Sequence, residues 1–93
     1  MLNSGVKREL KARAHSLKPV VIIGQKGVTT AVIASIGEAL DIHELIKIRL
    51  PVSEKVAQVA RIAQLASELA AEVVGSIGRV LILYRRHPEL STR

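Results

Sequence analysis

The 93-residue chain has no cysteine, no tryptophan and no phenylalanine, and Tyr84 is its only aromatic side chain. Without cysteine there are no disulfides, no thiolate metal ligands and no cysteine nucleophile. A single aromatic excludes a recognition sheet that stacks two or three bases of a single-stranded nucleic acid. No apolar run approaches the ~18 residues of a membrane-spanning helix. The N-terminus lacks the apolar segment of a secretory signal. These absences predict a cytoplasmic protein with no cofactor, no metal and no membrane partner.

Catalytic constellations are scarce as well. His15, His43 and His87 fall in different segments, none at metal-ligand spacing. His43 beside Glu44 can be read as an acid/base pair, or as a histidine accepted at a helix C-terminus for reasons of the dipole. Gly75-Ser76-Ile77-Gly78 has the wrong spacing for a G-x-S-x-G nucleophile elbow. The residues point away from an enzyme.

What the chain does have is apolar aliphatic bulk and positive charge. Its apolar fraction is 48%, mostly Val, Ile, Leu and Ala, and the length suits one domain spanning residues 1–93. The net charge of +6 is unevenly spread. Residues 1–26 carry six basic groups against Glu9 alone, and residues 79–93 carry four against Glu89. The segment between them is slightly acidic. Positive charge at both ends suits one polyanion-binding face, although solubility alone would also account for it.

Patterning predicts helix, strand, helix, strand, helix, strand, strand. Residues 4–17 form an amphipathic helix with Ser4 as N-cap, ended by the restriction that Pro19 places on Lys18. Val6, Leu10, Ala14 and Leu17 share one face of it, and Lys7, Arg8, Lys11 and His15 an adjacent one. Val20-Val21-Ile22-Ile23 predicts a central strand buried on both faces. After Gly24-Gln25-Lys26-Gly27, Thr29 or Thr30 caps a second helix that carries Val32, Ile33, Ile36 and Leu40. Residues 45–50 alternate, with Ile46, Ile48 and Leu50 on one face and Lys47 and Arg49 on a wet, basic one. A third helix, from Ser53-Glu54 to Leu69, is expected to bury Val56, Val59 or Ala60, Ala63 and Ala66–Ala70. Residues 72–77 and 80–84 predict a hairpin across Gly78-Arg79, followed by a frayed tail over 87–93.

The chemistry gathers at Gly24-Gln25-Lys26-Gly27. Two glycines let the backbone approach a ligand closely, Lys26 adds charge at the tip, and a helix N-terminus follows. A four-residue turn that merely joins strand to helix is the plainer alternative. The spacing is neither that of a nucleotide-hydrolase loop nor that of a dinucleotide fingerprint. Tyr84 can be a packing residue at the core edge or a lone stacking platform.

The run from Leu17 to Thr29 resembles the strand–loop–helix signature of the CRM domain, the family of bacterial single-domain YhbY-like proteins. Glu44-Leu45-Ile46-Lys47-Ile48 resembles that family's second strand, and residues 77–85 its closing hairpin. The resemblance covers nearly the whole chain. It implies an α+β two-layer sandwich with a mixed four-stranded sheet and an antiparallel last strand, similar to the C-terminal domain of translation initiation factor three. It also implies binding of ribosomal RNA on precursors of the large subunit. By the same resemblance RNA contacts fall on Gly24, Gln25, Lys26 and Gly27 and on Lys7, Lys11 and Lys18. Arg8 on the basic helix face joins them, and Arg85 and Arg86 after the last strand are secondary candidates. A monomer is expected. The alternatives are a protein–protein adaptor and a KH-like binder, although a KH loop joins two helices. Two departures stand out. Gln25 occupies a loop position where a second Lys is common, and Glu68-Leu69-Ala70-Ala71 lacks the usual Gly near the end of the third helix.

Overall fold

The structure, a computed structural model, describes residues 3–86; the tail predicted to fray lies outside them. Its elements follow the predicted order: α1 (Ser4–Ala14), β1 (Pro19–Ile22), α2 (Thr30–His43), β2 (Leu45–Arg49), α3 (Lys55–Leu69), β3 (Glu72–Ile77) and β4 (Val80–Tyr84). The four strands form one sheet in the order β1-β2-β4-β3. The crossover through α2 makes β1 and β2 parallel, whereas β4 pairs antiparallel with both β2 and β3. The last strand is the antiparallel one, as expected, and it lies inside the sheet.

Caps fix the helix starts. Asn3 rather than Ser4 caps α1, because its side-chain oxygen accepts from the Val6 amide at 2.8 Å. Thr29 caps α2 in the same way, its hydroxyl accepting from the Val32 amide at 3.1 Å. Helix α1 stops at Ala14, earlier than Pro19 alone would require. Lys47 supports that end from β2, donating to the carbonyls of Leu17 at 3.1 Å and His15 at 3.4 Å. A cation suits a helix C-terminus, where the carbonyls lack partners.

Helices α2 and α3 cover one face of the sheet. The main core there joins Ile36 and Leu40 of α2 and Leu65 and Leu69 of α3 to Ile46, Ile48, Leu81 and Leu83 of the strands. The stripe expected on α3 is corrected in its first part: Val56, Val59, Ala60 and Ala63 are exposed, and Leu65 faces the sheet together with Leu69, which lay within the expected stripe, flanked by Ile62. Large branched side chains release more apolar surface from water than alanines do, so they decide which face turns inward.

The other face is only half covered. Helix α1 crosses it and buries Leu10 and Ala14 against Leu45, Val74 and Ile82, with Tyr84 alongside. Two expectations change accordingly. Strand β1 is an edge strand, with Val20 and Ile22 facing the uncovered side, and Pro19 at its start has no amide to offer a ladder. On β2, Leu45 is buried beneath α1 and Lys47 is held by carbonyls, which leaves Arg49 as the wet basic residue.

A candidate nucleic-acid interface

The Gly24–Gly27 segment is a closed turn. The Gly27 amide donates to the Gly24 carbonyl at 3.0 Å, and Gly27 takes φ +76°, where a side chain would be strained. Gln25 and Lys26 occupy the exposed tip. An added Cβ would meet nothing within 4 Å at either glycine, but Gly24 differs from Gly27 in its unexceptional φ. Neither packing nor backbone strain demands glycine at 24, and the space beside it opens to solvent. Val28 and Thr29 separate the turn from the first residue of α2, and Thr29 already occupies the Val32 amide. What this corner presents to solvent is therefore the turn backbone and the Lys26 charge, with the helix dipole behind them.

Strand register places the uncovered sheet next to this turn. Ile22, Arg49, Val80 and Ile77 lie opposite one another in a row across all four strands. Ile22 and Ile77 are 69% and 74% exposed, and Arg49 stands exposed between them. The next row is Lys47, Ile82 and Gly75, and there α1 begins. Gly75 lets Lys11 lie close at that point: a Cβ there would fall 2.5 Å from Lys11 Cε, so the flexible lysine side chain would have to move aside. The stem and ammonium of Lys11 thus both lie over Gly75 of β3. Lys7, one turn earlier and half-buried, shares that flank of α1, and Arg8 is exposed beside it.

The remaining candidates divide differently. Lys18 precedes β1 and Lys26 follows it, so the strand separates them, roughly 13 Å at 3.3 Å per residue. Lys18 lines a surface cleft with Arg13 and His43, on the side of α1 away from the turn. Arg86 is exposed at the end of β4. Arg85, the other secondary candidate, is half-buried and engaged within the fold. Its guanidinium donates to the Leu69 carbonyl at 2.8 Å, to the Gly37 carbonyl at 2.9 Å and to Asp41 Oδ1 at 2.7 Å. It ties the end of α3 to α2. Arg49 is the residue that sequence reasoning passed over as a site. The alternation of residues 45–50 pointed to it, but only strand order sets it between the turn and Lys11.

Among the described residues no cluster of three His, Cys, Asp or Glu could hold a metal ion. No helix among them is long and apolar enough to cross a membrane.

Together these features define an α+β domain with a mixed four-stranded sheet, one face closed by two helices and the other presenting basic and apolar residues beside a glycine-bounded turn. The chain belongs to the CRS1 / YhbY (CRM) domain family, whose model matches residues 2–85. It is 39% identical over 88 residues to a Haemophilus influenzae protein named RNA-binding protein, covering 95% of this chain and 89% of that one. It is 36% identical over 83 residues to a Pseudomonas aeruginosa protein named a probable RNA-binding protein, covering 89% and 80%. Its fold matches the solution structure of a Staphylococcus aureus protein with a TM-score of 0.82 at 29% identity, over 92% of this chain and 90% of that one.

Proposed function

We propose that this chain is a non-catalytic RNA-binding domain that holds the phosphate backbone at the Gly24–Gly27 turn and along the Lys7–Lys11 flank of α1. The observation that carries the reading is Gly24: a glycine with open space around it, beside an exposed Lys26, where neither fold nor backbone requires one. A backbone bare of side chain allows phosphate to approach the turn closely. The naming of two relatives as RNA-binding proteins supports the same ligand. The CRM resemblance supports a finer version, in which a cytoplasmic monomer binds ribosomal RNA during assembly of the large subunit.

Two measurements test this. Crosslinking in cells, followed by sequencing of the attached RNA, should recover large-subunit ribosomal RNA; scattered messenger RNA instead would sink the ribosomal assignment. In vitro, Lys26→Ala should lower the salt slope of RNA binding by about 0.7–0.9 units, as expected for one lost phosphate contact. Its thermal stability should not change, since Lys26 supports no core. A variant with the wild-type slope would remove the turn from the site.

A further inference from the structure

The flank of α1 turned away from the glycine turn lines a cleft of about 570 Å³ against the ends of β3 and β4. That is the size range of pockets that hold a nucleotide. Tyr84, the only aromatic of the chain, forms part of its wall. Glu9 from α1 and Glu72 from β3 line it from two different elements, and Arg13, Arg86 and the Asp41-paired Arg85 line it as well. The one ion pair among the described residues is Arg85–Asp41, and no hydrogen bond there occupies either Glu9 or Glu72. Arg13 also lines the neighbouring cleft of about 350 Å³ that holds Lys18 and His43.

The combination differs in kind from the glycine turn. Carboxylates repel phosphate, so these glutamates do not serve a backbone contact. They accept hydrogen bonds from the amino and imino groups of bases, and tyrosine offers a face on which an unstacked base can lie. Guanine fits best, because N1–H and the N2 amino group are adjacent donors that match the two oxygens of one carboxylate. Arg13, Lys18 and Arg86 then lie where the flanking phosphates would pass.

Resting on the RNA-binding reading, we propose that this cleft is a guanine-selective subsite for one unstacked nucleotide. Its base lies against Tyr84 and pairs with Glu9 or Glu72, and its phosphates lie toward Arg13 and Lys18. The subsite explains how a chain with one aromatic could still discriminate among bases.

The composition supplies a direct probe. With no tryptophan, all intrinsic emission of the full chain comes from Tyr84. Titration with guanosine 5′-monophosphate should quench that emission saturably, with an affinity at least ~10-fold above that for uridine 5′-monophosphate. The double substitution Glu9→Gln and Glu72→Gln should reduce the preference to less than about threefold while leaving the far-UV spectrum unchanged. A fluorescein-labelled RNA hairpin with a guanine-containing loop, followed by anisotropy, reports binding by any surface. If that RNA binds and Tyr84 emission does not change, the subsite is overturned and the RNA-binding reading stands. Quenching by guanosine monophosphate without any RNA binding would overturn the RNA-binding reading and leave a mononucleotide site. An equal response to both mononucleotides would overturn the guanine selectivity.

Discussion

The two faces of this sheet are built from one set of strands and finished in opposite ways. Under α2 and α3 lies a continuous aliphatic core, with Ile36, Leu40, Ile48, Leu50, Leu65, Leu81 and Leu83 all at 0% exposure. On the reverse, α1 covers the ends of the strands nearest Leu45 and Tyr84 and leaves Ile22, Arg49 and Ile77 in water. The first face has no buried polar or charged residue, so its contribution is hydrophobic burial and little else. The second spends less of its surface on packing and keeps the charge. On the proposed RNA-binding reading, stability and ligand contact fall on different faces, and single substitutions should separate them.

The largest effect belongs to the closed face. Leu65→Ala removes a fully buried side chain between α3 and the sheet and should cost about 2–5 kcal/mol, read by chemical denaturation. RNA affinity of the molecules that remain folded should stay within twofold of wild type. A matching loss of affinity in folded protein would mean that the closed face shapes the interface after all.

Arg85 tests where the boundary lies. Arg85→Met keeps the stem but leaves the Leu69 carbonyl at the end of α3 and the Asp41 carboxylate without their guanidinium donor, while the Gly37 carbonyl keeps only its helix bond. Hydrogen bonds to charged groups contribute about 1.5–3 kcal/mol, and a loss of that order is expected. The salt slope of RNA binding should not move, because this guanidinium is already engaged. A reduced slope with unchanged stability would return Arg85 to the interface.

On the open face, Lys7→Gln with Lys11→Gln keeps much of the aliphatic stem over Gly75 and removes two charges. The salt slope should fall by roughly one to two units, with little change in melting temperature. Should the slope stay at its wild-type value, the basic flank of α1 is a solubility feature and the grip rests on the turn and Arg49.

Much of this division was legible in the sequence, and the misses share a cause. Element order, the glycine turn, the closing hairpin and the antiparallel last strand follow from local signals: Pro19, Gly24, Gly27, Pro51, Gly78 and hydrophobic periodicity. What failed depended on strand order. Val20 to Ile23 predicted a buried central strand, because nothing local says that β2 is flanked on both sides and β1 on only one. The alternation in residues 45–50 predicted a basic face, but which of its positions α1 would occupy is set by packing thirty residues away in the chain. Arg85 reads as free charge in a basic tail until α2 and α3 bring Gly37, Asp41 and Leu69 around it. The α3 stripe failed for a local reason, since alanines were weighted equally with leucines.

The smallest effect expected concerns the end of α3, where this chain departs from the CRM pattern. Ala70 terminates that helix in the left-handed region, at φ 50° and ψ 43°. The Ala71 amide reaches back to the Ala66 carbonyl at 3.0 Å, which closes the helix and fixes this conformation. An L-residue with a Cβ pays about 1–2 kcal/mol there, whereas glycine does not. Ala70→Gly removes that strain but enlarges the conformational freedom of the unfolded chain, a cost of about 0.4–1 kcal/mol. The net should be a stabilisation of about 0.5–1 kcal/mol, seen as a rise of a few degrees in melting temperature. Ala70 is exposed, so its methyl group takes no core packing with it. The converse substitution sharpens the test: Ala70→Val places a β-branched side chain in the same conformation and should lower stability. If glycine and valine shift the melting temperature in the same direction, the helix end is held by its neighbours and not by its own backbone preference.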